Sequence, residues 1–284
     1  MIMLYVNNNG EILENSDYTI KTGNRGYLYG DGVFESIRIL NGKPINLVNH
    51  ISRMLEGARK IKMRPPSFFV LEFFEERILE LCKKSNITEG GKCRISLDRS
   101  SGGTFKPDSN EVEFYIEVYP TDYNKFELNQ KGVELDIYLE HKKEKSSLSN
   151  FKTKNGLIYI LAAISAKEKG LDDYLITNYT GGILESTSSN LFVVSNGVLY
   201  TPGLEEGCLA GTMRMQIINL ALANGMKVYE CNILPQNLLV ADEIFLTNAI
   251  NGITWVSGYR TKRYFNNVSR KLVDLLNQYW AMNI

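Results

Sequence analysis

The sequence predicts an α+β protein of two domains, a small N-terminal one and a larger C-terminal one. Three observations carry that expectation. Stretches of period-two alternation, such as Val33-Phe34-Glu35-Ser36-Ile37-Arg38-Ile39, stand beside stretches of helical spacing. Asn9-Gly10, Asn41-Gly42 and Asn196-Gly197 punctuate the apolar runs as hairpin turns do. A polar stretch at 119–129, containing Pro120, Asp122 and Asn124, has the composition of an interdomain connection. The expected domains are therefore 1–119 and 130–284, with a linker at 120–129.

Taken in order, the first forty-five residues alternate as strands around turns, beginning with a hairpin at 6–13. From 47 to 61 the spacing becomes helical, with Val48, Ile51, Met54, Leu55, Ala58 and Ile61 on one stripe. Pro65-Pro66 ends that helix, and a second is expected over 67–85 with Ser67 as its N-cap. Strands follow at 92–98 and 112–118, separated by a loop with Gly102-Gly103. In the second domain the spacing predicts a strand at 133–139, a polar loop at 141–150 and a helix at 155–169. Strands at 174–177, 190–194 and 198–200 precede a helix at 212–224. Strands at 227–232 and 243–247 and a C-terminal helix complete the chain.

Composition narrows the function. The 32 basic and 32 acidic side chains cancel, so charge gives no argument for a nucleic-acid or anionic-membrane partner. No apolar run is long enough to span a bilayer. The segment Met1-Ile2-Met3-Leu4-Tyr5 lacks the basic start and long apolar core of a signal peptide, so a cytoplasmic location is expected. Cys82, Cys93, Cys208 and Cys231 have no paired spacing, and His50 and His141 are the only histidines. That inventory suits buried reduced thiols and no metal site, and leaves thiol–imidazole or serine–imidazole catalysis few candidates.

Two residues draw notice. Lys152 sits where the polar loop gives way to the apolar helix, and Glu185 lies between Ile183-Leu184 and the run Ser186-Thr187-Ser188-Ser189. A carboxylate entering a buried strand is costly unless it is paired. A protonated pyridine nitrogen is one such partner, and a protonated ring is the electron sink of pyridoxal 5'-phosphate (PLP) chemistry. On these residues alone an ordinary solvated lysine and an ordinary strand acid are the better reading of the pair.

Four segments tip the balance. They are Arg25-Gly26-Tyr27-Leu28-Tyr29-Gly30-Asp31-Gly32-Val33-Phe34-Glu35, running on to Arg38; His50-Ile51-Ser52-Arg53-Met54; Phe151-Lys152-Thr153-Lys154-Asn155; and Leu184-Glu185-Ser186-Thr187-Ser188-Ser189-Asn190-Leu191-Phe192. With Gly211-Thr212-Met213-Arg214 and Asp242-Glu243-Ile244-Phe245-Leu246-Thr247-Asn248-Ala249, they resemble the class IV aminotransferases in order and spacing over about residues 5–256. The resemblance implies a two-domain PLP fold type IV, similar to D-amino acid aminotransferase. It implies that Lys152 forms the Schiff base and shuttles the substrate proton, and that Glu185 pairs with the pyridine nitrogen. It further implies that Arg53 binds the phosphate, with backbone donors from Thr212-Met213 and Ala249-Ile250. Lys154 falls at the wrong motif position and is expected to be solvated.

Which reaction follows is less determined. Tyr29, Phe34, Glu35 and Arg38 resemble the branched-chain aminotransferase pattern, which implies that Tyr29, Phe34 and Arg38 bind substrate. However, Leu157 stands where those enzymes have a tyrosine, and Ser101-Gly102-Gly103-Thr104-Phe105 lacks the Arg and His of the D-specific carboxylate trap. Thr247-Asn248-Ala249, Thr201-Pro202-Gly203-Leu204 and Arg99-Ser100-Ser101-Gly102-Gly103 are similar to 4-amino-4-deoxychorismate lyases, which release pyruvate and 4-aminobenzoate for folate synthesis. Against that, Thr104 replaces their arginine. The expectation is an aminotransferase acting between an amino acid and a 2-oxo acid, with the lyase as alternative and a non-catalytic PLP-binding relative as a third possibility. The resemblance also implies a homodimer.

Overall fold

Alternating side chains sort the first half of the chain into one sheet with an apolar and a polar face. The computed structural model describes residues 4–284; Met1–Met3, the start of the segment compared with a signal peptide, lie outside the described residues. The chain divides into two units, one formed by residues up to Lys125 with Phe151–Asn155 and Ile284, the other by Phe126–Asn150 with Gly156–Asn283.

In the first unit, β1 (Tyr5–Asn8) and β2 (Glu11–Glu14) form the expected hairpin, with Asn9 and Gly10 both at positive φ (52° and 98°). A short helix α1 (Arg25–Tyr29) follows, then β3 (Gly32–Leu40), β4 (Lys43–Pro44), helices α2 (Leu47–Lys60) and α3 (Leu71–Lys84), β5 (Gly91–Arg99) and β6 (Val112–Pro120). The six strands are ordered β2-β1-β6-β5-β3-β4, and every pairing is antiparallel. Val33, Ile37, Ile39, Cys93, Ile95, Leu97, Ile116 and Val118 point to one face and are buried against Met54 and Ala58 of α2 and Phe74, Ile78 and Leu81 of α3. Each such aliphatic side chain contributes roughly 1.5–3 kcal/mol of transfer free energy. The register places Phe34, Ser36, Arg38, Lys92, Arg94 and Ser96 on the opposite face.

Three local expectations change. Residues 25–29 are helical, not extended, because the Asn24 side chain accepts the Tyr27 N–H at 2.7 Å and so caps a turn of helix. Helix α3 starts at Leu71 without a side-chain cap, because Phe69 is drawn into the core, stacked on Phe73 and edge-on to Phe114, which holds 67–70 out of the helix. Val48, placed on the buried stripe of α2, is 58% exposed.

The second unit comprises β7 (Val133–Ile137), α4 (Leu157–Glu168), β8 (Asp173–Thr177), β9 (Ile183–Ser186), β10 (Asn190–Ser195), β11 (Val198–Pro202), α5 (Thr212–Ala223), β12 (Val228–Cys231), α6 (Pro235–Val240), β13 (Glu243–Asn248), β14 (Gly252–Tyr259), β15 (Lys262–Arg263) and α7 (Asn267–Asn283). Its sheet runs β12-β11-β10-β13-β14-β7-β8-β9 and curls until β9 meets β10 at Glu185 opposite Asn190. The closure covers the edge at β9, while β11 and β12 extend from β10 outside the ring. Leu135, Leu175, Ile183, Leu191, Val193, Ile244, Leu246, Val256 and Tyr259 are buried together in its core. The elements β9, β14 and α6 were not expected from sequence.

The crossing between the units lies between Lys125 and Phe126, inside the expected linker, yet the stretch is tied down on both sides. Thr121 N–H donates to Gly90 O at 3.0 Å, while Phe126 exchanges hydrogen bonds with the Asn277 side chain at 2.9 and 2.8 Å. Residues Phe151–Asn155, assigned by the sequence to the second domain, join the first unit instead. The reason is backbone pairing: Phe34 N–H donates to Lys152 O at 3.0 Å and Lys154 N–H to Gly32 O at 2.9 Å, extending β3 by a short antiparallel bridge.

Candidate active site

That bridge fixes Lys152 beside the start of β3. Its Nζ lies 4.5 Å from the centre of the Phe34 ring. The Arg94 guanidinium lies over the same ring at 3.9 Å, reached from β5, where Arg94 stands opposite Ser36. Burial lowers the pKa of Arg94, with Glu117 and Asp98 opposing the shift. Among the described residues no carboxylate pairs with Arg94 within ion-pair distance. A half-buried guanidinium facing an aromatic ring, with Glu117 opposite it on β6 but no direct ion pair, keeps donors for an anionic ligand.

On the apolar face of the same strand, Glu35 is fully buried between Val33 and Ile37. It is supported by α2, where His50 and Arg53 are three residues apart and share a face. Arg53 donates through Nε to Oε1 at 2.8 Å and through Nη2 to Oε2 at 2.5 Å, and His50 Nδ1 lies 2.7 Å from Oε2. Burial opposes ionisation of Glu35, but the charge of Arg53 and the contact with His50 outweigh it and hold the carboxyl at about 2. For His50, burial dominates and lowers its pKa; Glu35 opposes this, and the charges of Arg53 and Lys152 add to it. The guanidinium of Arg53 is thus locked by a buried carboxylate in the unit that carries Lys152.

The remaining predicted residues of this unit have partners other than Lys152. Arg38, four residues beyond Phe34 on β3, donates through Nη2 to the Tyr123 carbonyl and is buried there. Four residues of strand span about 13 Å. Tyr29 packs under the Arg25 guanidinium at 4.8 Å and against the Phe105 ring at 5.6 Å. Lys154 is not solvated as expected: its Nζ pairs at 2.5 Å with Asp98, whose side chain is 3% exposed. Asp98 is buried at the end of β5 and needs a counter-charge, which Lys154 supplies.

In the second unit Glu185 is buried at the point where the ring of strands closes. Its Oε1 accepts from Lys143 Nζ at 2.7 Å and from the Tyr159 hydroxyl at 2.8 Å; its Oε2 accepts the Leu209 N–H at 2.8 Å. Burial first, and Glu185 second, raise the pKa of Tyr159, so it donates as a neutral phenol. Helix α5 begins at Thr212 with Gly211 as its cap, and Thr212 and Met213 are its first two residues. The first N–H groups of a helix have no partner within it and attract anions. A Cβ at 211 would stand 1.9 Å from Asn190 Oδ1, so any side chain there would have to displace Asn190. The second expected turn differs in detail: Ile250 N–H donates to Asn248 Oδ1 at 3.0 Å, and Asn251 N–H to the same atom at 2.8 Å. Asn248 therefore shapes the turn that presents Ala249.

The family model of the Amino-transferase class IV family matches residues 32–259. The chain belongs to that family. A D-alanine aminotransferase of Listeria monocytogenes is 26% identical to it, covering 97% of this chain and 94% of the relative. An aminodeoxychorismate lyase of Vibrio harveyi is 25% identical, covering 84% and 87%. Branched-chain-amino-acid aminotransferase 3, chloroplastic, of Arabidopsis thaliana is 28% identical, covering 90% and 69%. Among solved structures, the branched-chain aminotransferase of Thermoproteus uzoniensis with norvaline superposes with a TM-score of 0.88 at 23% identity, covering 96% and 93%. A T.th. branched-chain amino acid aminotransferase with pyridoxamine 5'-phosphate gives 0.87 at 23% identity, covering 96% and 92%. The fold is therefore PLP fold type IV, and the chain is a PLP-dependent transaminase or lyase of class IV.

Sequence reasoning passed over Arg94, Lys143 and Tyr159. Arg94 needed the β3–β5 register, which no local pattern supplies. Lys143 sat in a polar loop, His141-Lys142-Lys143-Glu144-Lys145, where a solvated role is the default. Glu35 carried the clearest local signal: a carboxylate on the apolar face of an alternating strand needs buried partners.

Proposed function

We propose that this class IV enzyme is an aminotransferase that holds PLP on Lys152 and moves an amino group between an amino acid and a 2-oxo acid. The observation that carries the proposal is the Phe34 ring, which has the Lys152 ammonium on it at 4.5 Å and the Arg94 guanidinium at 3.9 Å. A substrate carboxylate held by Arg94 would have its carbon skeleton against Phe34 and its reacting carbon at the lysine. Both substrates of a transamination carry such a carboxylate. Arg94 is the substrate cation in this proposal, since it shares the Phe34 ring with Lys152, whereas Arg38 lies four residues further along β3 at the Tyr123 carbonyl.

The residues present suit PLP. The Gly211 cap leaves the backbone bare next to Asn190, the N–H groups of Thr212 and Met213 head α5, and Ala249 lies in the second turn. These backbone donors of the second unit suit a phosphate; in the first unit Arg53, whose orientation Glu35 fixes, is the candidate phosphate cation. Glu185 would take the ring nitrogen. When bound, PLP supplies an electron sink that stabilises charge left on the substrate carbon after proton loss. Lys152 contributes the base that removes and returns that proton. We further propose a homodimer acting on small amino and oxo acids.

The purified enzyme incubated with leucine or D-alanine and 2-oxoglutarate should produce glutamate. Release of pyruvate and 4-aminobenzoate from aminodeoxychorismate, with no amino transfer from either amino acid, would replace the proposal with the lyase. A Lys152→Ala variant that keeps the Schiff-base absorbance band would remove Lys152 from its role.

A further inference from the structure

Glu185 meets more donors than a single partner for a ring nitrogen requires. An ionised carboxylate offers about four lone-pair positions. Lys143 Nζ and the Tyr159 hydroxyl occupy Oε1, and Leu209 N–H takes one position on Oε2, so one position on Oε2 remains. Lys143 is held there by its surroundings. Its backbone N–H donates to Thr177 O at 2.9 Å, its Nζ donates also to Ser149 O at 3.0 Å, and its side chain is 13% exposed.

The charges around Glu185 come from few elements. Lys143 arrives from the loop before Lys152, and Tyr159 from α4 as a neutral phenol. Cys208 precedes α5, and burial pushes its thiol up to about 12, so it too is neutral. Arg214 on α5 is paired with Glu230 at 2.6 Å. Lys143 is thus the cation in direct contact with the Glu185 carboxylate.

We propose that Lys143 is a positioning residue that sets how firmly a ring-nitrogen proton is held at Glu185. This rests on the PLP assignment above and goes beyond it. The Lys143 ammonium neutralises the carboxylate before any pyridinium reaches it, and it confines the new N–H to the remaining lone pair of Oε2. A cation close to a second cationic group disfavours its protonated form. Lys143 therefore tempers the electron sink, where an unaccompanied glutamate would hold the proton more tightly.

The test uses holoenzyme reconstituted with PLP labelled with nitrogen-15 in the ring, whose resonance is followed by NMR across a pH titration. Lys143→Met and Lys143→Gln should each raise the proton affinity of the ring nitrogen about ten-fold. Lys143→Arg, which keeps the charge, should titrate like the parent. The Gln variant retains polar contacts to Oε1 and Ser149 O, so a folded neutral variant remains if Met is not tolerated. A midpoint unchanged in the neutral variants overturns the proposal, as does a ring nitrogen equally protonated in all the proteins over the whole range. A purely structural Lys143 would change the melting temperature or cofactor retention without moving that midpoint. Failure of the underlying assignment looks different: borohydride reduction of the parent enzyme would leave no pyridoxyl group on Lys152.

Discussion

At the scale of single residues, Glu35 shows how chemistry is built into a core. Its strand neighbours Val33 and Ile37 are there to be buried, and an acid between them survives because α2 brings Arg53 and His50 to both of its oxygens. Removing one member of a buried ion pair costs about 3–5 kcal/mol, because the other is left uncompensated. Glu35→Gln should lower the urea-unfolding free energy by about that amount and weaken cofactor retention, since Arg53 loses the group that orients it. His50 adds a pH dependence. Its folded pKa lies below the ordinary 6.5, so the unfolded chain takes up a proton at a pH where the folded chain does not. Stability is then fully present above about 6.5 and declines as pH falls toward the lowered folded value. Glu35 adds its own loss only in stronger acid, between the ordinary 4.5 and about 2. Melting temperatures measured from pH 8 to pH 5 should fall for the parent and fall less for His50→Asn; equal slopes would contradict a neutral buried His50. Glu185 beside its Ser/Thr run and the lysine before the helix were legible in the sequence, whereas the burial of Glu35 was not read there. The arginine across the strand and the loop lysine were not legible, because each acquires its role from a residue distant in the chain.

At the scale of elements, local periodicity was informative where it had a helix or a strand to itself. Helix α2 and strands β5 and β13 begin and end within two residues of expectation, since burial on one face imposes a period that a short window shows. Strands β9 and β14 escaped because their identity lies in their pairing. The first closes the ring at Asn190, and the second is flanked by β13 and the distant β7. The start of α5 combines both kinds of information. Its glycine was legible as a turn, while the reason for it, Asn190 Oδ1, is visible only in three dimensions. Asn190 also donates to Leu209 O at 2.8 Å, and Leu209 N–H is bound by Glu185. A side chain at 211 would therefore push on the ring closure and on Glu185 together. Gly211→Ala should destabilise the protein by about 1–3 kcal/mol, the usual range for overpacking, and raise the dissociation constant for PLP. Titration of apoenzyme with PLP, alongside thermal melts, would check both; unchanged affinity would separate the α5 N-terminus from phosphate binding.

At the scale of the whole molecule, helix α4 poses a problem that one copy of the chain does not solve. Ala162 and Ala166 are buried on one side, whereas Leu157, Ile160, Leu161 and Ile164 are 74%, 54%, 42% and 50% exposed. Those four residues follow the spacing i, i+3, i+4, i+7 and form a single stripe. A helix that is apolar all round belongs in an interior, and an exposed stripe of this kind marks an association surface. The sequence showed only an apolar helix after Lys152; the homodimer was implied by the family resemblance alone, because no local pattern distinguishes a helix buried in its own domain from one that awaits a partner. Covering the stripe with a second copy would remove the exposed side chains from water at roughly 25 cal/mol per Å² of apolar surface. The parent enzyme should therefore sediment as a dimer at micromolar concentration. Leu157→Lys combined with Ile164→Glu places charge at both ends of the stripe, where it would be buried unpaired in a dimer, and should shift the protein to monomer with its fold retained by circular dichroism. A parent that sediments as a monomer, or a double variant that remains dimeric, would assign the α4 stripe no part in association.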